Sequence, residues 1–159
     1  MRQYDGQPLD SLRETHIVSE PIRATMRGNT SKDTKPEVVL RKALWNLGLR
    51  GYRKNLKTLP GKPDIVFTKR KIAIFVNGCF WHGCTKCRRR YRTPKTNSLF
   101  WTTKVERTKE RDAANEQKLR YLGFDVLVFW ECDVTRDLVT EVAAQIASHV
   151  RGEPLTSLK

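Results

Sequence analysis

The sequence predicts a mixed α/β domain with a small central sheet flanked by helices, pinned by a metal site. Three observations carry this. Short apolar runs, IAIFV from Ile72 and VLVFW from Val126, have the length and β-branched content of buried strands. Between and around them lie longer stretches with helical start and stop signals. All four cysteines fall just beyond those two runs, Cys79, Cys84 and Cys87 in NGCFWHGCTKC and Cys132 in FWEC.

Taken in order, residues 1–30 are polar and Arg-rich, interrupted by Pro8, Pro21 and Gly28, and read as an arm with little core of its own. The domain proper is expected over 31–151. Thr34 as N-cap, Pro36 in the first turn and Glu37 at N3 form a capping box that starts a helix. Val38, Val39, Leu40, Ala43, Leu44 and Leu47 supply its apolar stripe and Gly48 its stop. Tyr52 to Leu59 reads as a strand, followed by the turn Pro60-Gly-Lys-Pro63. Asp64 to Phe67 and Ile72 to Val76 read as strands joined in a hairpin by the charged turn Thr68 to Lys71. After the cysteine loop and a basic stretch from Arg88 to Lys95, Asn97 to Leu122 predicts a long charged helix. Leu99, Val105, Leu119 and Leu122 are its apolar positions, and Gly123 ends it. Phe124 to Trp130 is a further core strand. Arg136 to Val150 is a closing helix with Leu138, Val139, Val142 and Ile146 inward, and 152–159 a flexible tail. The order is αβββαβα.

The bulk numbers narrow the partners. The chain has 159 residues, enough for one domain with a real core, and 31 Lys and Arg against 17 Asp and Glu give a net charge of +14. Such a surplus favours polyanions through counterion release, and nucleic acid fits better than an anionic membrane. No apolar run approaches the roughly 20 residues needed to span a bilayer, and MRQYDGQPLD lacks a signal-peptide core. A cytoplasmic protein is expected, and in that compartment a C-x2-C pair points to a metal rather than to disulfides.

Zinc takes four thiolate or imidazole ligands in a tetrahedron. Cys84 and Cys87 have the spacing for one turn to present two thiolates, Cys79 lies close, and Cys132 can supply the fourth. A set using His82 in place of one cysteine, or buried cysteines without metal, are the alternatives. A closed tetrathiolate centre has no open position, so such a zinc is structural. Asp64, at the start of a strand after Pro60-Gly-Lys-Pro63, suits a hard oxygen-ligand ion such as magnesium; as a turn aspartate it could equally cap backbone amides.

The strand pair around Asp64 resembles the P-D…(D/E)-x-K core of restriction-endonuclease-like nucleases, although the second acid and the lysine are absent at Val76-Asn77-Gly78. With the cysteine segments added, PGKPDIVF, VNGCFWHGC and ERDAANEQKLRYLGFDVLVFWEC closely resemble the very short patch repair (Vsr) mismatch endonucleases, from about Met26 to Cys132. That resemblance implies a restriction-endonuclease-like domain with structural zinc and catalytic magnesium. It implies that Asp64 binds magnesium together with the backbone carbonyl of Val76, and that His82 acts as base on the attacking water. It places the family's further acidic positions on Glu37 and Asp112, acting through metal-bound water or by orienting His82. Apart from the resemblance, Glu37 is a capping-box residue and Asp112 a solvated helix carboxylate. Two departures stand out. Asn77 replaces a common histidine and can hydrogen-bond a phosphate but cannot exchange a proton at neutral pH, and Cys84 takes the place of a frequent zinc-binding histidine.

The same resemblance implies that Phe80 and Trp81, with Met26 from the arm, wedge into a duplex near a T·G mismatch left by 5-methylcytosine deamination. The alternative is that the two aromatics simply pack against the cysteine loop. Arg23, Arg27, Lys62, Arg88, Arg89, Arg90, Arg92 and Lys104 are candidate phosphate contacts. The expected protein is a monomeric, magnesium-dependent endonuclease that nicks one strand of double-stranded DNA at or next to a T·G mismatch. It would be cytoplasmic and nucleoid-associated, of prokaryotic type, with a DNA cytosine methyltransferase as companion. The rivals are a Vsr-like nickase of a restriction or phage-defence system without strict mismatch preference, and a non-catalytic zinc-dependent DNA-binding module.

Overall fold

The computed structural model describes residues 32–87, 92–135 and 137–153. Helix α1 (Lys35–Asn46) begins at the capping box: the Glu37 carboxylate accepts hydrogen bonds from the backbone N–H of Thr34 at 3.2 Å and from that of Asp33 at 3.0 Å. Strands β1 (Arg53–Lys54), β2 (Ile65–Phe67) and β3 (Ile72–Asn77) follow. Then come α2 (Ser98–Tyr121), β4 (Asp125–Trp130) and α3 (Val139–Arg151), so the element order matches the one expected.

The sheet runs β1-β2-β3-β4. β1 to β3 are antiparallel neighbours, with Ile65 opposite Ile74, whereas β4 pairs parallel to β3, with Ile72 opposite Asp125 and Asn77 opposite Trp130. The parallel pair puts the ends of β3 and β4 side by side. The loops that carry Cys79 and Cys132 therefore leave the sheet at one edge. Alternation along β3 turns Ile72, Ile74 and Val76 toward a core made with Leu40 and Leu44 of α1 and Val142, Ala143 and Ile146 of α3. Phe75 and Asn77 face the other way. On that side α2 lies close, since a Cβ at Gly61 would stand 3.1 Å from both Asn115 Cβ of α2 and Phe75 Cζ.

Several expectations are corrected. The strand expected over Tyr52 to Leu59 shrinks to Arg53–Lys54, because the chain turns at Leu56 to Leu59 and again at Lys62. The closing helix starts at Val139, after a turn in which Thr135 C=O accepts from Leu138 N–H at 3.2 Å. Leu138, expected inward, is 44% exposed, and Leu99 and Leu122, apolar positions of the long helix, are 58% and 47% exposed. Leu99 is out because Trp101, two positions on, takes the inward place; Leu122 and Leu138 lie outside their helices, where helical spacing no longer fixes a direction. The arm over 1–30, and with it Met26, Arg27 and Arg23, lies outside the described residues, as do Arg88, Arg89, Arg90 and residues 154–159 of the tail.

Candidate active site

The cysteine cluster is the frame of the site. The four Sγ atoms of Cys79, Cys84, Cys87 and Cys132 all lie within 4.8 Å of one another. Sulfur separations of 3.6 Å (Cys79–Cys87), 3.9 Å (Cys84–Cys87) and 4.0 Å (Cys84–Cys132) are far from disulfide bonding. They match the edge of about 3.8 Å expected for a tetrahedron with metal–sulfur bonds of about 2.3 Å. Burial opposes ionisation of Cys84, but the backbone N–H groups of Lys86 and Cys87 hold its thiol below the ordinary value. Burial pushes Cys79 up to about 11. The donor set fits zinc, with four soft ligands and no open position. His82 is not among the ligands; its ring is engaged elsewhere.

Between Cys79 and Cys84 the chain makes a tight loop, in which Gly78 C=O accepts from His82 N–H at 3.2 Å and Cys79 C=O from Cys84 N–H at 2.9 Å. Gly83 makes this possible. Its φ is +72°, and a Cβ there would come within 2.9 Å of Val105 Cγ1 of α2. The loop thus aims the His82 ring at α2, where Nδ1–H donates to Asp112 Oδ2 at 2.5 Å. Burial works against ionisation of Asp112, but His82 and Arg111 together hold its carboxyl below the usual range. An ionised carboxylate can only accept, so Nδ1 carries the hydrogen and the lone pair of neutral His82 is left on Nε2.

Asp64 stands at the mouth of the β2–β3 hairpin. Its Oδ2 accepts from Val76 N–H at 2.8 Å, and its own N–H donates to Ile74 C=O at 3.0 Å. Burial raises its carboxyl from 3.8 to about 6; the Val76 amide, His82 and Arg41 pull it down, and Glu37 pushes it up. Asp64, Glu37 and His82 therefore share one electrostatic environment. The Asn77 carbonyl is turned toward β4, where Glu131 N–H donates to it at 2.8 Å. By strand alternation the Val76 carbonyl is turned the opposite way, toward β2.

Glu37 is 3% exposed and its carboxylate is fully engaged. Oε1 accepts from Thr34 N–H and from Thr34 Oγ1 at 2.6 Å, and Oε2 from Asp33 N–H and Arg41 Nη1 at 3.3 Å. Arg41, 8% exposed, also pairs with Asp33 at 2.5 Å. Sequence reasoning passed over this buried arginine, although its place four residues after Glu37 is an ion-pair signal.

Phe80 and Trp81, both half-buried, form an aromatic cluster with Trp101, with ring centroids 5.4 and 5.9 Å from it, and Phe100 meets the same residue edge to face at 5.4 Å. Lys104 Nζ lies 5.7 Å from the Trp81 ring and 5.8 Å from that of Trp101. Lys62, exposed and at φ +53°, sits in the turn before Asp64. No helix among the described residues is long and apolar enough to cross a membrane.

Comparison with known proteins gives this arrangement relatives. The family model described as DNA mismatch endonuclease Vsr matches residues 18–89. The type II nicking enzyme V.NmeAIP of Neisseria meningitidis serogroup A is 49% identical over 106 residues, which cover 65% of this chain and 72% of that one. V.NmeDIP, a type II nicking enzyme of Neisseria meningitidis serogroup C, is 43% identical over 137 residues, covering 86% and 90%. The DNA mismatch endonuclease Vsr of Escherichia coli K12 is 36% identical over 121 residues, covering 74% of each.

Proposed function

The chain belongs to the Vsr family of DNA endonucleases, and we propose that it nicks one strand of duplex DNA at or next to a T·G mismatch, with structural zinc and catalytic magnesium. One observation carries the reading: the His82–Asp112 pair shares its electrostatic environment with Asp64, and His82 sits in the loop closed by the cysteine cluster. We read the hairpin with its parallel fourth strand as a restriction-endonuclease-like core.

In this reading Asp112 fixes the tautomer and direction of His82, and Nε2 takes a proton from a water molecule. The water oxygen bonds to phosphorus as the bond from phosphorus to the leaving strand oxygen breaks. That oxygen takes a proton from solvent. Asp64 and the carbonyl of Val76 would hold magnesium, which supplies polarisation of the phosphodiester and stabilisation of the leaving oxyanion. Glu37, locked at the start of α1 by Arg41, contributes negative field rather than a free lone pair. Asn77 at the end of β3 serves to hydrogen-bond a phosphate. Phe80, Trp81 and Met26 are the wedge, and Arg27, Lys62, Arg88, Arg89 and Lys104 the backbone contacts. A wobble pair is the easier point of entry, because its unstacking costs less. The substrate implies a cytosine methyltransferase as companion in the same cell. The enzyme would work as a monomer on the nucleoid.

Two of the relatives above are named type II nicking enzymes, which favours a second reading, a nickase of a restriction or phage-defence system without strict mismatch preference. Matched and T·G-mismatched duplexes incubated with magnesium separate the two. Nicking of the mismatched duplex alone is expected; equal nicking of both sinks mismatch specificity, and nicking of neither sinks the endonuclease assignment. Elemental analysis of protein purified without added metal should give about one zinc per chain.

A further inference from the structure

One face of α2 runs along the loop that carries His82 and on to the turn before Asp64. Trp101 packs with Phe80 and Trp81, Val105 and Lys109 lie against Gly83, Asp112 holds His82, Asn115 crowds Gly61, and Leu119 is fully buried. Steps of three and four residues put all six on one stripe. Lys109 is the member that does not fit a packing role. It is exposed, yet its chain lies across the residue after His82, with Nζ 2.9 Å from where a Cβ on Gly83 would stand. Its stripe neighbours lead to the aromatic cluster on one side and to the His82–Asp112 pair on the other. Its ammonium therefore emerges between the DNA-facing aromatics and the base.

The charge of Lys109 is also uncommitted. Among the described residues no hydrogen bond or ion pair is made by the Lys109 side chain. Of the two carboxylates a turn away, Glu106 makes no ion pair with it, and Asp112 is taken, Oδ2 by His82 and Oδ1 by Arg111 at 3.1 Å. Two other cations near the site have partners: Arg41 holds Asp33 and Glu37, and Lys104 faces aromatic rings. Meanwhile β3 ends in Val76-Asn77, Gly78 follows, and no lysine stands at the position where restriction-endonuclease-like cores carry one. Attack on a phosphodiester builds negative charge on its non-bridging oxygens, and a preorganised cation there is worth most in the transition state.

We propose that Lys109 is a catalytic residue of the nicking reaction, an ammonium brought from α2 that donates a hydrogen bond to a non-bridging oxygen of the scissile phosphate. It stays protonated throughout and leaves proton transfer to His82. This rests on the endonuclease reading above.

The test compares the full-length wild type with Lys109→Gln, which keeps most of the chain length without the charge, and Lys109→Arg, which keeps the charge. Single-turnover nicking of the mismatched duplex should fall at least ~10-fold in Lys109→Gln and recover in Lys109→Arg, with thermal midpoints unchanged. A second arm needs no turnover. Without magnesium, a duplex carrying one neutral methylphosphonate at the nicked linkage should bind wild type several-fold more weakly than the unmodified duplex, and Lys109→Gln should show no such difference. Nicking by Lys109→Gln within twofold of wild type, or an equal methylphosphonate penalty in both proteins, overturns the role of Lys109 alone. Wild-type protein that nicks no duplex overturns the endonuclease reading and this inference with it.

Discussion

The two faces of the sheet are built differently. On one, α1 and α3 close over Ile65, Ile72 and Ile74 with side chains that exclude solvent; Leu40, Leu44 and Ile146 are 0% exposed. On the other, the 24-residue α2 buries Trp101, Val105 and Leu119, while the 13-residue α3 buries Val139, Val142, Ala143, Ile146 and Ala147. So α2 presents less apolar area for a longer helix, because its inward stripe is used for Lys109, Asp112 and Asn115. One face holds the fold by area removed from water. The other is held by particular contacts: a glycine that admits a helix, a histidine on a carboxylate, four sulfurs. Stability and chemistry are therefore separable by mutation to a degree that a single shared core would not allow.

The sharpest break should come at Asp112. Asp112→Asn keeps the shape but lets His82 take the wrong tautomer, and nicking should fall by about 10²- to 10⁴-fold with the melting temperature nearly unmoved. A single-turnover rate close to wild type would remove the pair from the mechanism. Leu44→Ala is the converse. It should cost about 2–5 kcal/mol in urea unfolding and leave the rate per folded molecule intact; a matching loss of rate would show the faces to be coupled.

Asp64 belongs to both columns. Its carboxyl is raised to about 6 in the folded chain from 3.8. The stability tied to its protonated form is thus fully present below about pH 4 and lost as pH rises through 6. Asp64→Asn should accordingly stabilise the magnesium-free protein by on the order of 2 kcal/mol at pH 8 and by almost nothing near pH 4, while abolishing nicking. Denaturant titrations at the two pH values read this directly, and an equal effect at both would deny that burial strains the charge. The smallest effect is expected at Gly83. Gly83→Ala meets a positive φ and Val105, costing about 1–2 kcal/mol, and should slow nicking several-fold by shifting His82 while zinc content stays constant.

This contrast also governs what could be read from sequence. The area-driven face is legible: the continuous apolar runs IAIFV and VLVFW mark β3 and β4, and the capping box locates the start of α1 within a residue. β1 was overdrawn because Arg53-Lys54 pairs through its backbone alone and leaves no apolar pattern. Leu138 departs from its expected inward place because it precedes the first turn of α3, and helix ends follow no period. On the site face the cysteine spacing spoke for itself. Asp112, set in the charged run Glu110-Arg111-Asp112, looks like any solvated carboxylate, and only resemblance to a family singled it out. Lys109 against Gly83 is a contact across the fold between residues 26 positions apart, which no local pattern encodes.

The sulfur cluster has one more consequence, which concerns time rather than space. Three of its cysteines are made close together, but the fourth, Cys132, comes 53 positions after Cys79. Closing a loop of that length carries an entropic cost of about 4 kcal/mol, which the growing chain cannot offset before the last sulfur has left the ribosome. Asp112 and β4 arrive in the same late interval. A nascent chain cannot arm its nuclease piecemeal. The site is complete only when almost the whole domain exists.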